Sequence, residues 1–552
     1  MTMGRRASGA LAGVAAAAVA MATAELVAVL TGARSAPLVA VGAVVVDTVP
    51  EPVKQFGIDV FGVHDKTALL IGTAILLGGL AALIGMRAVR TLPVGYAGIG
   101  LLTLLGAAAA VTRPGAGPAA VLPSLVGGVL GAGTLWLLVA GPLEAPGPMP
   151  AGSVAPAGSV APGGSVAPGA SVTPGGFAAA RGGPGPEAPG EHEMAEWRSE
   201  RRRFLAGTTA ALGGAVVVGL GGRWLAARRS VTAARAAVTL PAPVSPAPPV
   251  PPGADLRLAQ LAPFTTPNFA FYRIDTALTV PQVDPADWRL RIHGRVRTPI
   301  TLSYADLLAR PMIERDITLA CVSNEVGGEL IGNARWLGVR LADLLDEAGP
   351  LVGADQVVGR SVDGWTCGTP TAELRDGRDA LLAVGMNGEP LPIEHGFPAR
   401  MVVPGLYGYV SACKWITELE LTSFADFDAY WVPRGWSARG PIKTQSRIDT
   451  PRPRNRLTAG RVPVAGVAWA QHRGIERVEV RVDGGEWQQA TLAPTVSTDT
   501  WVQWSWQWPA SPGEHVLQVR ATDATGETQT ERESPVAPDG ATGWHTVTVT
   551  VR

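Results

Sequence analysis

The chain has 552 residues, and its 46 lysines and arginines match its 46 aspartates and glutamates, so the formal net charge is zero. That balance argues against nucleic acid as a partner, because binding a polyanion requires a surplus of cations. Only 17% of residues are charged while 47% are hydrophobic, which points to membrane segments, and three cysteines give neither an even disulfide set nor a paired-zinc spacing.

Four long apolar runs occupy residues 10–32, 67–86, 93–111 and 119–140. Each approaches the roughly 20 residues that cross a bilayer as a helix, so residues 1–141 are expected to form a helical membrane region of four spans. The run 36–46 is too short to cross and is expected to lie in the interface or pack on its neighbours. With Arg5 and Arg6 on the cytoplasmic side, four crossings return Arg87 and Arg90 to that side and leave only Arg34 and Arg113 outside. Glu25 inside the first run is either a functional intramembrane charge or a residue near the outer interface of a plain anchor. No histidine occurs in these runs, which disfavours a membrane cytochrome with paired histidine ligands to haem.

Residues 142–199 are built of Gly, Ala, Pro and Ser, with a six-residue repeat starting at Ser153, Ser159, Ser165 and Ser171. A stacked solenoid would share that period. A flexible linker suits the recurrent proline better. Residues 200–229 open with Arg201, Arg202, Phe204 and Leu205. They read either as a twin-arginine export signal or as the basic flank of an ordinary span. Both readings make this the fifth span and place everything after Arg229 outside the cytoplasm. Residues 230–254 are rich in proline and are expected to form an extended stalk of about 3.1 Å per residue.

From residue 255 the pattern becomes that of a mixed globular domain. Residues 288–294 alternate as a strand ending in a turn at Gly294, Ser303 is a candidate helix N-cap, and residues 341–348 form an amphipathic helical segment. Cys321 ends an apolar run and precedes Asn324, Gly327, Gly328 and Gly332, residues that let the backbone turn and approach a bound group. A thiolate there suits a soft transition metal or a nucleophile. A small buried hydrophobe is the plainer alternative.

Four blocks then carry a resemblance: Thr266-Pro-Asn-Phe-Ala-Phe-Tyr-Arg-Ile-Asp; Thr318-Leu-Ala-Cys-Val-Ser-Asn with Asn333-Ala-Arg-Trp-Leu-Gly-Val; Leu381-Leu-Ala-Val-Gly-Met-Asn-Gly-Glu-Pro-Leu-Pro; and His395-Gly-Phe-Pro-Ala-Arg-Met-Val-Val-Pro-Gly-Leu-Tyr-Gly with Lys414-Trp415. In these residues the chain resembles the sulfite oxidase family of molybdopterin oxidoreductases. The resemblance implies a Mo-molybdopterin cofactor in a catalytic domain at 255–449, with Cys321 as the thiolate ligand of the metal. It further implies cofactor contacts from Asn268, Phe271, Tyr272, Asp363, His395, Arg400, Ala412, Cys413 and Lys414. Arg273 aligns with an arginine that holds the substrate anion beside the metal. Val384 stands where sulfite-oxidising members are expected to carry an active-site tyrosine, a departure that bears on sulfite itself. Cys367 and Cys413 read from the sequence as buried thiols.

Residues 450–552 carry short alternating segments with a turn at Asp483-Gly-Gly, the pattern of an immunoglobulin-like sandwich. The resemblance assigns this domain to dimerisation. Trp504, Trp506 and Trp508 fall on one face of a strand and Trp501 on the other, in a core or on a partner surface. The fold class expected is therefore multi-domain: an α-helical transmembrane region, a mixed α+β molybdopterin-binding domain of sulfite oxidase type and a β-sandwich.

Together these readings describe a multi-pass protein of the cell membrane whose extracytoplasmic domain transfers an oxygen atom to or from a small sulfur oxyanion. S-oxide reduction and a non-catalytic envelope scaffold are the alternatives. There is no Cys-x-x-Cys-His motif, so electrons are expected to pass through a separate electron-transfer protein. Membrane lipid and a second copy of the chain complete the expected partners.

Overall fold

A computed structural model describes residues 2–50, 53, 56–57, 60–61, 65–113, 116–140, 191–228 and 230–552. The hexapeptide repeat lies outside the described residues. The N-terminal helices form one compact unit and residues 227–552 another.

The first unit contains helices α1 (Thr2–Thr31), α2 (Pro37–Thr48), α3 (Asp65–Ala88), α4 (Leu92–Val111), α5 (Leu122–Val139) and α6 (Glu191–Arg228). Five helices are long and apolar enough to cross a membrane: Gly4–Thr31, Lys66–Ala88, Leu92–Val111, Pro118–Val139 and Arg202–Leu225. Apolar helices with small residues at their contacts can bring their backbones close and gain packing energy. Gly13 of α1 lies against the Ala81 carbonyl of α3, and Gly85 of α3 against the Gly9 carbonyl; neither position has room for a Cβ. The short helix α2 packs on its neighbours through Ala40, near Ala109 and Ala110 of α4. Helix α6 starts at Glu191, inside the stretch expected to be linker.

In the second unit, α7 (Thr232–Ala236) precedes two sheets, the first mixed and the second antiparallel. One sheet has the order β2-β1-β10-β5-β6, built from β1 (Arg289–Gly294), β2 (Ile300–Ser303), β5 (Gln356–Ser361), β6 (Thr366–Pro370) and β10 (Ile416–Thr422). The other has the order β3-β4-β7-β8, from β3 (Ile313–Ala320), β4 (Ile331–Arg340), β7 (Leu381–Met386) and β8 (Glu389–Pro390), with β9 (Arg400–Val402) paired to β7. Leu290, Ile292, Val357 and Leu419 of the first sheet share a core with Val339, Leu382 and Val384 of the second. Every residue of β7 is buried, as expected for a strand covered on both faces. Helix α8 (Tyr304–Leu308) starts with a full capping box between Ser303 and Asp306. Helix α9 (Leu341–Ala348) buries Leu341, Leu344, Leu345 and Ala348 on one face, the spacing its apolar residues dictate. Helix α10 (Gly408–Ser411) is a single turn.

The proline-rich segment is extended, but it is not a free stalk. Val244 N donates to Met312 O at 2.8 Å and Glu314 N to Ser245 O at 2.9 Å, so this stretch lies along the start of β3. Proline lacks a donor but keeps its carbonyl, and Arg335 Nη2 donates to Pro248 O at 3.2 Å.

The C-terminal domain is a sandwich of two sheets. One has the order β11-β13-β17-β16, from β11 (Gln445–Thr450), β13 (Gly460–Trp469), β16 (Thr491–Leu492) and β17 (Val502–Ala510). The other has the order β12-β19-β18-β14-β15, from β12 (Arg456–Leu457), β14 (Ile475–Val482), β15 (Gln488–Gln489), β18 (Gly513–Asp523) and β19 (His545–Val551). Because β11 pairs with β13, the sandwich includes residues ahead of the boundary expected at 450. Trp504 and Trp508 are buried in its core with Trp506 partly buried beside them, while Trp501 joins the core of the preceding domain.

Candidate active site

The site begins where β3 ends. Cys321 follows a run of five buried residues and is itself only 8% exposed. The loop after it closes on itself: Cys321 N donates to Leu330 O at 2.9 Å, Asn324 N to Cys321 O at 3.1 Å, and Leu330 N to Asn324 Oδ1 at 2.8 Å. Gly327 takes φ +76° within it, a conformation that favours glycine. Burial pushes the Cys321 thiol pKa up. The Ser323 amide and hydroxyl, the Val322 amide and the Lys414 charge all favour its thiolate.

Aromatic rings and β9 supply the adjoining wall. Phe271 stacks on Tyr272 at 5.2 Å and meets Trp336 and His395 edge-on at 5.8 and 5.6 Å. Burial raises the Tyr272 pKa, the Cys321 charge adds to it, and Arg400 opposes both, so this phenol feels both groups. His395 Nε2 lies 3.0 Å from Asn268 O, a contact with a carbonyl that puts the ring proton on Nε2. Burial, reinforced by Arg400, brings the His395 pKa down to about 4, which leaves the ring neutral. Asn268 is fixed in turn by Asn387 Nδ2, which donates to its Oδ1 at 2.8 Å, and by its own donation to Glu389 Oε1 at 2.5 Å.

Arg400 is buried, lies over the Trp336 ring at 5.1 Å, and donates to the carbonyls of His395 (3.1 Å) and Met401 (3.3 Å). Among the described residues it forms no ion pair, and burial lowers its pKa to about 10. Lys414 is buried too and pairs with Asp275 at 2.7 Å, while Arg273 shares the same carboxylate oxygen at 2.9 Å. Burial brings the Lys414 pKa to about 8. Arg273 is 38% exposed and sits at the rim.

The sequence-selected residues fall in two groups. Cys321, Tyr272, Arg400, His395, Phe271, Asn268 and Lys414 come together through these contacts. Asp363 and Cys413 belong to the second group: Asp363 Oδ1 accepts from Trp365 N at 3.2 Å, and its charge reaches Cys413, which neighbours Cys367. Ala412 caps α10. Val384 is wholly buried in β7. Two residues escaped the sequence reading. Asp275 binds both cations, and its position two residues after Arg273 was the available signal. Tyr407 has its pKa raised to about 12, mainly by burial and with a contribution from Cys321.

This donor set fits an anionic cofactor that brings its own metal ligands. A buried guanidinium without a counter-ion is costly unless an anion joins it, and its planar fork suits a phosphate. Among the described residues there is no cluster of three His, Cys, Asp or Glu; a metal held chiefly by its cofactor needs only the single thiolate that Cys321 offers.

Comparison with known proteins agrees with that chemistry. Residues 277–431 match the family model of the oxidoreductase molybdopterin binding domain, and residues 445–549 match that of a bacterial Ig domain. Sulfite oxidase of Gallus gallus is 30% identical over 324 residues, covering 50% of this chain and 70% of that protein. Mitochondrial sulfite oxidase of Homo sapiens is 30% identical over 322 residues, but the chain spans only 58% of its length. An uncharacterised oxidoreductase of Bacillus subtilis is 36% identical over 157 residues, covering 28% of this chain and 76% of that one. Among solved structures, the sulfane dehydrogenase SoxCD of Paracoccus pantotrophus is similar at 26% identity and a TM-score of 0.47, covering 52% of this chain and 82% of that one.

Fold and site together define a molybdopterin-dependent oxidoreductase with an immunoglobulin-like appendage. The chain belongs to the sulfite oxidase family, and that membership implies Mo-molybdopterin as its cofactor.

Proposed function

We propose that the chain is a membrane-tethered enzyme whose catalytic domain lies outside the cytoplasm and which transfers an oxygen atom on a small sulfur oxyanion. The observation that carries this reading is the pairing of a buried, donor-lined Cys321 with a buried Arg400 that forms no ion pair among the described residues. When bound, the pterin-held molybdenum supplies the oxygen-atom and two-electron chemistry. Cys321 gives the metal its protein thiolate. Arg400 binds the cofactor phosphate, and neutral His395, held by Asn268, presents an uncharged edge to the pterin. Phe271 and Tyr272 exclude water from that wall, while Lys414, Ala412, Cys413 and Asp363 complete it.

Arg273 at the rim attracts the substrate anion, and Asp275 fixes its side chain. Electrons pass to or from a separate electron-transfer protein. The membrane helices contact lipid, and the sandwich domain offers a face to a second copy of the chain. S-oxide reduction is the second reading, and one contact favours it: Asp275 already offsets the Arg273 charge, which weakens the rim's pull on anions. Steady-state kinetics with sulfite and with an S-oxide separate the two. In Arg273→Gln the KM for sulfite is expected to rise about tenfold, the loss of about 1.4 kcal/mol of anion binding, while S-oxide kinetics stay unchanged. Unchanged sulfite kinetics would remove Arg273 from its role. Absence of molybdenum from protein made in a cofactor-competent host would overturn the enzyme reading itself.

A further inference from the structure

The Cys321 loop is held from outside its own domain. β3 is an edge strand of its sheet, with β4 on one side; its other edge is met by the proline-rich segment at Ile313 and Glu314 and, nearer Cys321, by the sandwich domain. Thr318 N donates to Asp499 O at 2.9 Å, Gln471 Nε2 to Thr318 O at 3.1 Å, and Trp501 N to Thr318 Oγ1 at 2.8 Å. These contacts fix the strand just ahead of Cys321.

Beyond Cys321 the same domain grips the far limb of the loop. Arg447 of β11, only 6% exposed, is oriented by Asp449 at 2.6 Å and donates through Nη1 to Gly328 O at 2.7 Å. His545, the first residue of β19, accepts from Ile448 N through Nδ1 at 2.9 Å, and the opposite edge of its ring lies so close to Gly327 that a Cβ there would overlap it. Val326 lies beside Gly543. An edge strand and a glycine-containing turn are the least constrained parts of a sheet. Here both are tied down by hydrogen bonds to buried or half-buried partners.

We propose that the sandwich domain is a clamp on the Cys321 loop, with Arg447 and His545 as positioning residues that set the direction of the Cys321 sulfur. The proposal rests on Cys321 being the metal's thiolate ligand. It gives the domain a task within one chain, separate from any contact between copies. Groups that orient a metal ligand from behind typically cost about 10- to 100-fold in activity or metal affinity when removed.

The test uses the full-length holoenzyme with Arg447→Ala, Arg447→Lys, His545→Ala and, as reference, Cys321→Ser. In Arg447→Ala and His545→Ala, amide hydrogen exchange across residues 322–330 is expected to quicken about tenfold. With molybdenum still bound, the midpoint potential of the centre is expected to move by the equivalent of about a tenfold change in its redox ratio, about 30 mV for a two-electron couple. A fall in kcat with KM held is expected alongside. Arg447→Lys keeps the charge but not the fork, and is expected to recover part of the potential; it also carries the test if Arg447→Ala fails to fold. Wild-type exchange in both alanine variants overturns the clamp, as does faster exchange with an unmoved potential. If Cys321→Ser keeps the wild-type spectrum and turnover, the ligand assignment fails instead, whatever the clamp variants show.

Discussion

Asp275→Asn tests the charge balance of the site most directly. Lys414 and Asp275 expose only 9% and 5% of their side chains, and their charged atoms lie 2.7 Å apart. At an effective dielectric of about 20, the gross attraction at that distance is about 6 kcal/mol. Asparagine keeps one hydrogen bond from the ammonium, worth about 2 kcal/mol, and is itself cheaper to bury. The net loss is therefore about 3 kcal/mol for as long as the lysine stays charged, at the lower edge of what breaking a buried pair costs.

The pH dependence gives this prediction its sign. Lys414 has its pKa brought to about 8 by burial, below its ordinary value of 10.5, so the unfolded chain binds that proton more tightly than the folded one. The charged lysine costs stability in full below about pH 8, and the cost fades as pH rises toward about 10.5, a window worth about 3 kcal/mol. Asp275 offsets part of that cost only while the lysine is charged. Near pH 7 a lysine with a pKa of about 8 escapes the unpaired state by releasing its proton at about 1.4 kcal/mol. Thermal unfolding of cofactor-free, detergent-solubilised chain should therefore show Asp275→Asn melting about 3 °C below wild type there, with the gap shrinking near pH 10 to the share that the Arg273–Asp275 pair keeps. An equal gap at both pH values, or none near pH 7, refutes the assignment of Lys414 as a buried cation that depends on Asp275.

Two further substitutions probe neighbouring parts of the site. Arg400→Met replaces a buried cation lacking an ion pair with an apolar chain of similar reach; cofactor-free protein should be as stable as wild type or more so by about 1–4 kcal/mol, while copurifying molybdenum and pterin fall at least tenfold, as metal analysis and pterin fluorescence would show. Gly327→Ala meets both a positive φ and the His545 ring; it should cost about 2 kcal/mol or more in denaturant unfolding, and a neutral result would place the loop free of the second domain.

Much of the architecture was legible because it depends on local sequence. Run length and hydropathy marked the five long apolar helices, and alternation marked β1 and the sandwich strands. The Cys321 and Arg400 blocks were legible as motifs. Asp275 was not, since an acid beside Arg273 reads as a surface pair until the fold brings Lys414, 139 positions away, onto the same oxygen. The proline-rich segment misled for a physical reason: composition reports that a chain cannot donate hydrogen bonds, not that its carbonyls lack donors nearby. Arg447 and Gly328 are 119 positions apart, and no local pattern joins them.

That separation bears on why a catalytic domain of this kind carries a second one. β3 lies at the margin of its sheet, with Cys321 directly after its last residue, so the open edge of the strand is where other segments can take hold of it. Another strand on that edge would satisfy the backbone but cover the turn with a continuous ladder. The sandwich domain instead touches Thr318 before the cysteine and Gly327 and Gly328 after it. The contacts around Cys321 thereby restrain the loop on both sides while leaving the sulfur's own surroundings to the Ser323 and Val322 donors and the Lys414 charge.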